Sequence, residues 1–269
     1  MKKFVIASSN EHKIAEFKKM LSPFNIKVVS YKDILKDDFE IEETGKTFVE
    51  NAKLKAETIA NKTKLPTFAD DSGLCITSLN GEPGLFSARY AKAEGGYENA
   101  FAKLEERLKS KDKDAYFICV IAFARPDNKT EIFEGRCNGF INFPARGQDG
   151  FGYDPIFVPN GMGRTFAELS EDEKNSISHR AFAMEKFASF LIEEEKKKDA
   201  ELKSKTKTSK TPSSKTDAKQ PSVAKEVIKE TEPVKTKVEV VKEEVKKSSE
   251  NPMEEFIEVD AKLNSDENN

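Results

Sequence analysis

Short apolar runs alternate with amphipathic stretches over the first part of the chain. The run FVIA at residues 4–7 is followed by polar residues, and Ile14, Phe17 and Leu21 then recur at the spacing of one helix face. A second apolar run lies in IKVVS at residues 26–30. This pattern predicts a strand, a helix and a second strand, in that order.

The next segments predict a helix with a marked start and then another strand. Thr47 and Glu50 have the spacing of a capping box, and Ala52 and Ile59 share one face of the helix that would follow. LPTFADDSGL, at residues 65–74, predicts a strand that runs into a turn. The turn is expected because two aspartates, a serine and a glycine follow the apolar residues.

Two later segments are rich in residues that favour strands. They are AYFICVIAFARP and KTEIFEGRCNGFINFP, and the dipeptide Asp127-Asn128 between them predicts a hairpin. YENAFAKLEERLK and SISHRAFAMEKFASFLIEEEKKK predict two further helices. Strands that alternate with helices and are followed by a long hairpin predict an α/β fold with a mixed sheet.

The composition changes near residue 194. Most of the Phe, Gly and Tyr residues precede this point, whereas Lys, Glu, Ser and Thr dominate residues 195–269, where Phe256 is the sole aromatic residue. Such a segment cannot bury enough apolar surface to offset the entropy lost on ordering. The sequence therefore predicts a folded domain over residues 1–194 and a disordered tail over residues 195–269.

Charge and cysteine content narrow the class of protein. The net charge of −3 gives no overall sign of nucleic-acid binding. The basic start of the tail, KKKDAELKSKTKTSK, leaves open a weak contact with nucleic acid or another anionic partner, beside a role as a solvated spacer. Cys75, Cys119 and Cys137 lack CxxC spacing and favour a reducing compartment. No apolar run approaches the roughly 18 residues of a membrane span, so we expect a cytoplasmic protein with no membrane segment.

The polar turn after the first predicted strand is a candidate anion site. A strand-to-helix turn presents free backbone N–H groups and the positive end of a helix dipole. Ser8, Ser9 and Asn10 add side-chain donors, and Lys13 lies one turn into the helix. The same residues also suit an ordinary helix N-cap with a solvated Lys13, and the turn lacks the glycines of a Walker A loop. Both interpretations stay open on these residues alone.

The two aspartates of ADDSG are the candidate catalytic acids. Ligands of α/β sheets bind outside the carboxyl ends of strands, where a carboxylate can hold Mg²⁺ or deprotonate a water. Neighbouring residues of an extended segment point to opposite sides, so Asp70 and Asp71 are not expected to share one metal as equal ligands. Asp71 starts the predicted turn and is the better candidate for the open side. The structural alternative is an Asx-turn with two solvated acids.

Three further segments carry candidate binding groups. EETG places Glu42 just before the capped helix, where the alternative is a loop whose charge suits a helix N-terminus. GFGYDPIF offers Phe151 and Tyr153 for base stacking, or forms an aromatic loop at the edge of the core. EKNSISHR concentrates three donors that suit the polar edge of a ring, at the start of the last predicted helix: Lys174, His179 and Arg180.

Together these segments resemble one family, the inosine/xanthosine triphosphate pyrophosphatases of the Ham1 type. The matching features, in chain order, are SSNEHK, EETGKTFVENAKLKA, ADDSGL, GEPGLFSARYA, GFGYDPIF and EKNSISHR, and they span about residues 3–192. The family often has Thr-Gly-Asn where this chain has Ser8-Ser9-Asn10. The hydroxyl and the amide are kept, and the lost glycine is expected to change the loop only slightly.

The resemblance implies both a fold and an activity. The fold is α/β and two-lobed around a long twisted mixed β-sheet with flanking helices, and the active site lies in the central cleft. The implied enzyme is a Mg²⁺-dependent homodimer that acts on deaminated purine nucleoside triphosphates (ITP, dITP and XTP). It releases the monophosphate and pyrophosphate, and so cleanses the nucleotide pool.

The resemblance also implies roles for individual residues. Asp71 is the implied proton acceptor and a Mg²⁺ ligand, with Glu42 as the second ligand. Asn51 and Lys55 match positions that face the phosphates. The other residues implied to bind the substrate are Ser8, Ser9, Asn10, Glu11, His12, Lys13, Ser72, Phe151, Gly152, Tyr153, Asp154, Lys174, His179 and Arg180.

Two other functions stay open at this point. The first is a related pyrophosphatase of different specificity, acting on dUTP or modified pyrimidine nucleotides, and the His179-Arg180 pair disfavours it. The second is a non-catalytic nucleotide-binding protein, which the presence of Asp71, Lys13 and Glu42 disfavours. Arg180 is a pure donor and would suit the oxygen acceptor at C6 of hypoxanthine and xanthine, but not the amino group of adenine.

Overall fold

A six-stranded mixed sheet forms the centre of the protein. The computed structural model describes residues 2–36, 39, 41–126 and 129–208, with side chains as far as Lys203. The strands are β1 (Lys2–Ile6), β2 (Ile26–Ser30), β3 (Thr67–Ile76), β4 (Asp114–Ala124), β5 (Glu131–Ile141) and β6 (Phe157–Pro159). Their order is β2-β1-β3-β4-β5-β6. β1 is parallel to both of its neighbours, and β3 to β6 pair in antiparallel fashion, which confirms the predicted α/β fold with a mixed sheet.

Helices flank both faces of this sheet. They are α1 (Glu11–Leu21), α2 (Tyr31–Leu35), α3 (Phe48–Thr63), α4 (Ser87–Ala93), α5 (Tyr97–Arg107), α6 (Glu171–Ile177) and α7 (His179–Thr208). A 3₁₀ turn over Gly84–Phe86 leads into α4. Within the described part of the chain, no helix combines the length and the apolar character that a bilayer crossing needs.

The alternation of side chains along β1 and β3 separates two hydrophobic cores. Phe4 and Phe68 pack into the cluster that contains Phe187 of α7. Val5 and Ala69, each one residue later, belong instead to the cluster formed with α3. This period of two is what a strand buried on both faces requires. The residues after Ala69 therefore enter opposite faces of the sheet in turn.

A third core occupies the other end of the long strands. Leu74 of β3 and Phe117 of β4 pack there with Leu104 of α5 and Phe157 of β6. β3 thus passes from one lobe of the core to another. Its polar segment, residues 70–72, lies between the two lobes, which is where a cleft can form.

The turn predicted at ADDSG is absent, because β3 runs without interruption to Ile76. Asp71 pairs with Val120 of β4, and Gly73 pairs with Ile118. The lack of a side chain at Gly73 allows close packing against Gly84 and does not serve a turn. A Cβ atom at Gly73 would lie 2.2 Å from the carbonyl oxygen of Gly84, a separation that real side chains do not tolerate. The glycine allows the loop before α4 to lie directly on the strand that carries both aspartates.

The capped start of α3 is confirmed with one difference. The Thr47 hydroxyl accepts a hydrogen bond from the Glu50 N–H at 3.1 Å, as expected. The Glu50 carboxylate accepts from the N–H of Lys46, at 2.6 Å, one residue before the position that a capping box predicts. Both bonds fix the chain as it leaves the 41–46 segment and enters α3.

The last helix continues past residue 194, where the composition changes. α7 continues to Thr208, so residue 194 lies inside a helix and not at its end. Glu194 forms an ion pair with Arg125, and Glu195 forms one with Lys2, which ties this part of α7 to the sheet. The predicted disorder beyond Thr208 and the Asp127-Asn128 hairpin turn both lie outside the described residues.

Candidate active site

The turn between β1 and α1 is both a helix cap and the edge of a cleft. Asn10 caps α1 by accepting a hydrogen bond from the Lys13 N–H at 3.1 Å. The Asn10 N–H donates to the Ser8 hydroxyl at 3.2 Å. Lys13 is not solvated, because its ammonium lies 2.8 Å from the buried Asp70 carboxylate and its side chain is 16% exposed. The N-cap interpretation is therefore correct for Asn10, whereas the expected solvated lysine is absent.

The cleft brings most of the predicted site residues together. It has a volume of about 390 Å³ and lies between the β1–α1 turn, β3, α4, the loop before β6 and the start of α7. The predicted residues that line it are Ser8, Ser9, Asn10, Lys13, Lys55, Asp71, Ser72, Phe151, Gly152, Tyr153, Asp154, Lys174, His179 and Arg180.

Four predicted site residues lie elsewhere. Glu42 is exposed, and Glu43 lines the cleft in its place. Asn51 is fully buried, and its carbonyl oxygen accepts from the Gly45 N–H at 2.8 Å, so it supports the loop and does not face the cleft. Glu11 is exposed, and so is His12, which stacks on Phe151 at a ring-centroid distance of 5.2 Å. The exposure alternates along residues 41–45, which explains why Glu43 and not Glu42 turns inward.

Asp70 lies at the centre of a buried charge network. Its carboxylate accepts from Lys13 at 2.8 Å, from Arg180 at 3.4 Å and from the Ser72 hydroxyl at 3.2 Å. Burial alone would raise the pKa of Asp70, but the positive charges of Lys13, Arg180 and Lys55 outweigh it and hold the pKa well below its usual range. Asp70 is therefore a permanent negative charge that organises cations around it.

Asp71 faces the other side of β3 and has a different environment. One carboxylate oxygen lies 3.5 Å from the Lys55 ammonium, and the other is buried without a hydrogen-bond partner among the described residues. Burial raises the pKa of Asp71 although Lys55 opposes the shift. A carboxylate with a raised pKa and an unused oxygen can accept a proton from water. The two adjacent aspartates thus face opposite sides, as the strand geometry predicted.

Lys55 connects Asp71 to Glu43. Its ammonium donates to Glu43 at 2.7 Å. Burial lowers the pKa of Lys55, but the carboxylates of Asp71, Asp70 and Glu43 outweigh it, and the net pKa is raised. Lys55 is therefore a fixed positive charge at the Asp71 end of the cleft.

The other end of the cleft holds a second charge network. Lys174 of α6 donates to Asp154 at 2.8 Å and to Glu16 of α1 at 3.1 Å. Glu16 also accepts from Arg180 of α7 at 2.6 Å. Ser178 separates the two helices, since its extended backbone ends α6 and its hydroxyl accepts from the Ala181 N–H at the start of α7. The single last helix predicted from SISHR is therefore two helices that bring Lys174 and Arg180 to one carboxylate.

Aromatic rings surround this second network. The Lys174 ammonium lies 4.6 Å from the centre of the Phe151 ring, and the Arg180 guanidinium lies 5.7 Å from it. His179 stacks on Phe117 with ring centroids 4.7 Å apart. Burial, together with the nearby charge of Arg180, lowers the pKa of His179 well below its usual value. His179 is consequently neutral at physiological pH, and its Nδ1 has no hydrogen-bond partner among the described residues.

Sequence reasoning missed three charged or polar residues at this site. Glu16 is buried in α1, and no local sequence signal marks it, because its partners Lys174 and Arg180 are distant in the chain. Glu43 follows the predicted Glu42 directly in the chain, and the two differ in exposure, since Glu42 is exposed and Glu43 is half-buried. Arg89 lines the cleft from α4, within the GEPGLFSARYA segment that was recognised without a role.

The carboxylates of the cleft suit a divalent cation that is held in part by a substrate. The described residues contain no group of three or more His, Cys, Asp or Glu side chains that could hold a metal. Mg²⁺, however, is usually held by one or two carboxylates together with waters and substrate phosphates. Asp71 offers an unpartnered buried oxygen, and Glu43 lines the cleft nearby on the other side of Lys55. These two residues fit a cation that the substrate helps to hold.

Comparisons with known proteins agree with this architecture. The model of the Ham1 family matches residues 4–190. The chain is 44% identical over 197 residues to a dITP/XTP pyrophosphatase of Oceanobacillus iheyensis, covering 71% of this chain and 98% of the relative. It is 46% identical over 197 residues to a dITP/XTP pyrophosphatase of Bacillus licheniformis, with the same coverage. The Ham1 protein of Staphylococcus aureus superposes with a TM-score of 0.66 at 42% identity, over 72% of this chain and 100% of that one. The chain therefore belongs to the Ham1 family.

Proposed function

We propose that this protein hydrolyses deaminated purine nucleoside triphosphates (ITP, dITP and XTP) to the monophosphate and pyrophosphate. The observation that carries the proposal is the carboxylate of Asp71, which is buried beside Lys55 in the cleft and has one unused oxygen. The family membership and the dITP/XTP pyrophosphatase relatives support the same activity.

In this proposal the phosphates bind at the β1–α1 turn. The turn presents the N-terminus of α1, where backbone N–H groups and the helix dipole favour anions. Ser9 lines the cleft beside it, and Lys13 and Lys55 add positive charge from two helices. Because both lysines already neutralise carboxylates, they are fixed in place before the substrate arrives. Lys13 and Lys55 can therefore stabilise the charge of a bound triphosphate with little rearrangement.

Asp71 has the role of proton acceptor. A water held at the Asp71 carboxylate attacks the α-phosphorus, the bond from this phosphorus to the bridging oxygen breaks, pyrophosphate leaves with that oxygen, and the water proton moves to the carboxylate. The Asp71 carboxylate lines the cleft, which places it within reach of such a water. Lys55 lies 3.5 Å away and limits the negative charge that would repel the substrate.

The cation in this proposal is Mg²⁺, held by Asp71 and Glu43 together with the substrate. We assign the second ligand to Glu43 because Glu43 lines the cleft and Glu42 is exposed. When bound, a divalent cation neutralises phosphate charge and stabilises the pyrophosphate that leaves.

The base binds at the end of the cleft that holds the second charge network. Phe151 offers a ring face for stacking, and Lys174 and Arg180 supply donors next to it. The Arg180 Nε–H is buried without a partner among the described residues, so one donor of this guanidinium is still available. An oxygen at C6 accepts such a donor, whereas the amino group of adenine leaves two donors facing each other. Guanine shares the C6 oxygen, so its exclusion needs contacts with the 2-amino group.

The assembly, the compartment and the domain boundaries are further parts of the proposal. A homodimer is supported by the family resemblance and by Ile132 and Phe140, two exposed apolar residues on the same face of β5. A cytoplasmic location is supported by three free, buried cysteines, which suit a reducing compartment. We assign residues 1–194 and the rest of α7 to the enzyme, and the segment after Thr208 to a tail.

The proposal is tested by measuring pyrophosphate release from ITP, XTP, GTP, ATP and dUTP with Mg²⁺, for the wild type and for Asp71→Asn. We expect fast turnover of ITP and XTP, little turnover of ATP or GTP, and loss of activity in the variant. Activity mainly on dUTP would replace the proposed specificity. Nucleotide binding without turnover of any substrate would contradict the enzymatic role.

A further inference from the structure

The cations that line the cleft are not equivalent. Five of them do so among the described residues: Lys13, Lys55, Arg89, Lys174 and Arg180. All except Arg89 lie 2.6 to 2.8 Å from a carboxylate oxygen, and their side chains are 1% to 16% exposed. A substrate anion can reach those four only by sharing them with a partner that is already bound.

Arg89 is held much more loosely. Its guanidinium nitrogen lies 3.8 Å from the Glu43 carboxylate, which is longer than a hydrogen bond, and its side chain is 47% exposed. The guanidinium lies over the ring of Phe86, with 4.6 Å between its carbon and the ring centroid. An aromatic platform of this kind orients an arginine without using its N–H groups.

The position of Arg89 is fixed by the strand that carries the aspartates. α4 begins at Ser87, whose hydroxyl accepts from the Leu74 N–H of β3 at 2.9 Å and donates to the Gly84 carbonyl at 2.6 Å. The same Glu43 carboxylate that lies near Arg89 accepts from Lys55. Arg89 therefore lies next to Glu43 and Lys55, on the side of the cleft that holds Asp71.

We propose that Arg89 binds the pyrophosphate portion of the substrate and of the product. This inference rests on the proposed function and adds a substrate-binding residue to it. A guanidinium can donate two parallel hydrogen bonds to phosphate oxygens, and Arg89 can do so without breaking a short ion pair. The 3.8 Å contact with Glu43 is too long to be a hydrogen bond, so it would not keep the guanidinium from the phosphates.

The proposal has a distinctive consequence. Arg89 contacts phosphates and not the base. Its loss therefore weakens the binding of all triphosphates by the same factor and leaves the preference for ITP over ATP unchanged. Binding of inorganic pyrophosphate falls with it, and binding of inosine monophosphate does not. A residue that only supports the fold would not separate the two products in this way.

The experiment compares the full-length wild type with Arg89→Ala, Arg89→Lys and Lys92→Ala. Lys92 is exposed on α4 and does not line the cleft, so Lys92→Ala removes the same charge from the same helix. The dissociation constants of inorganic pyrophosphate and inosine monophosphate are measured by calorimetry with Mg²⁺, and kcat/KM is measured for ITP and ATP. We expect Arg89→Ala to raise the dissociation constant of pyrophosphate at least about tenfold and Arg89→Lys to raise it less. Lys92→Ala is expected to bind pyrophosphate as the wild type does.

Equal pyrophosphate affinity in Arg89→Ala and Lys92→Ala would overturn this role for Arg89. A change in the ITP-to-ATP preference would overturn it as well, because it would place Arg89 at the base. If Arg89→Ala does not fold, Arg89→Gln supplies the same comparison with a side chain of similar length. Failure of the wild type to hydrolyse any triphosphate would contradict the proposed function, yet the pyrophosphate affinities would still decide the role of Arg89.

Discussion

Asp70 and Asp71 are neighbours in β3, yet their carboxylates contact different cations. Asp70 contacts Lys13 and Arg180, whereas Asp71 contacts Lys55 on the opposite side of the strand. The surroundings lower the pKa of Asp70 and raise the pKa of Asp71. We infer that Asp70 stays ionised and holds the cations in place, whereas Asp71 can accept a proton.

This difference predicts that the change of aspartate to asparagine lowers activity at position 71 and stability at position 70. Asp71→Asn is expected to lower kcat by about 10²–10⁴-fold, the usual range for loss of a general base, with stability unchanged or slightly increased. Stability is kept because the charged form of Asp71 is disfavoured by burial. Asp70→Asn leaves Lys13 without its partner and is expected to lower the unfolding free energy by about 3–5 kcal/mol. Chemical denaturation and steady-state turnover of ITP measure the two quantities.

Either half of this prediction can fail independently. If Asp71→Asn keeps near-wild-type turnover with Mg²⁺, Asp71 is not the proton acceptor. If Asp70→Asn is as stable as the wild type, the network around Lys13 and Arg180 does not hold the cleft together.

Gly73 is predicted to be intolerant of any side chain. Gly73→Ala would place a Cβ atom 2.2 Å from the Gly84 carbonyl oxygen and 2.7 Å from the Ser87 hydroxyl. Moving the loop away to relieve this contact is expected to cost about 1–3 kcal/mol of unfolding free energy, as for other overpacked sites. Gly163→Ala is the matched control, because a Cβ atom there has no neighbour within 4 Å. Equal melting temperatures for the two variants would show that the loop yields freely.

The sequence predicted those features that depend on local pattern. Thr47 caps α3 as expected, and the period of two along β3 placed Asp70 and Asp71 on opposite faces. The family and the mixed α/β sheet were also predicted correctly. Each of these follows from residues close together in the chain, or from several motifs in a fixed order.

The features that were missed depend on contacts between distant segments. ADDSG was predicted to turn because aspartate, serine and glycine favour turns, but pairing with β4 overrides that local preference. Glu16 gained its role from Lys174 and Arg180, which are more than 150 residues away. No local pattern separates Glu16 from an ordinary charged helix residue, since only the folded structure brings the two cations to it.

Arg180 is predicted to control the preference between purine bases. Arg180→Ala removes the donor proposed for the oxygen at C6, so the ratio of kcat/KM for ITP to that for ATP is expected to fall by at least about a hundredfold. The variant also leaves Glu16 and Asp70 without one of their partners, so kinetics are measured well below its melting temperature. Arg107→Ala, which breaks an ion pair with Glu82 outside the cleft, is the control. An unchanged ratio would mean that another group reads the C6 oxygen, and Lys174 would be tested next.

His179 is predicted to make stability depend on pH. Its pKa in the folded protein is well below the usual value, so below about pH 6.5 the unfolded chain binds a proton that the folded protein does not. Stability is therefore lost as the pH falls, by up to about 1.4 kcal/mol per pH unit from this residue. His179→Gln lacks this contribution. The unfolding free energies of wild type and variant, measured by denaturant titration from about pH 8 to pH 5, are expected to converge. Parallel curves would show that His179 does not change its protonation on unfolding.

The segment after Thr208 is predicted to be dispensable for catalysis. The described core, the cleft and the ion pairs of Glu194 and Glu195 in the middle of α7 lie within residues 2–208, so a truncation after Thr208 removes none of them. We expect its kcat/KM for ITP and its melting temperature to match those of the full chain. A second truncation, after residue 192, also removes Glu194 and Glu195, and it is expected to lower the unfolding free energy by about 0.2–1 kcal/mol for each surface pair lost. If the truncation after Thr208 loses activity while its melting temperature is unchanged, the tail acts on the substrate or on a partner, and it is more than a spacer.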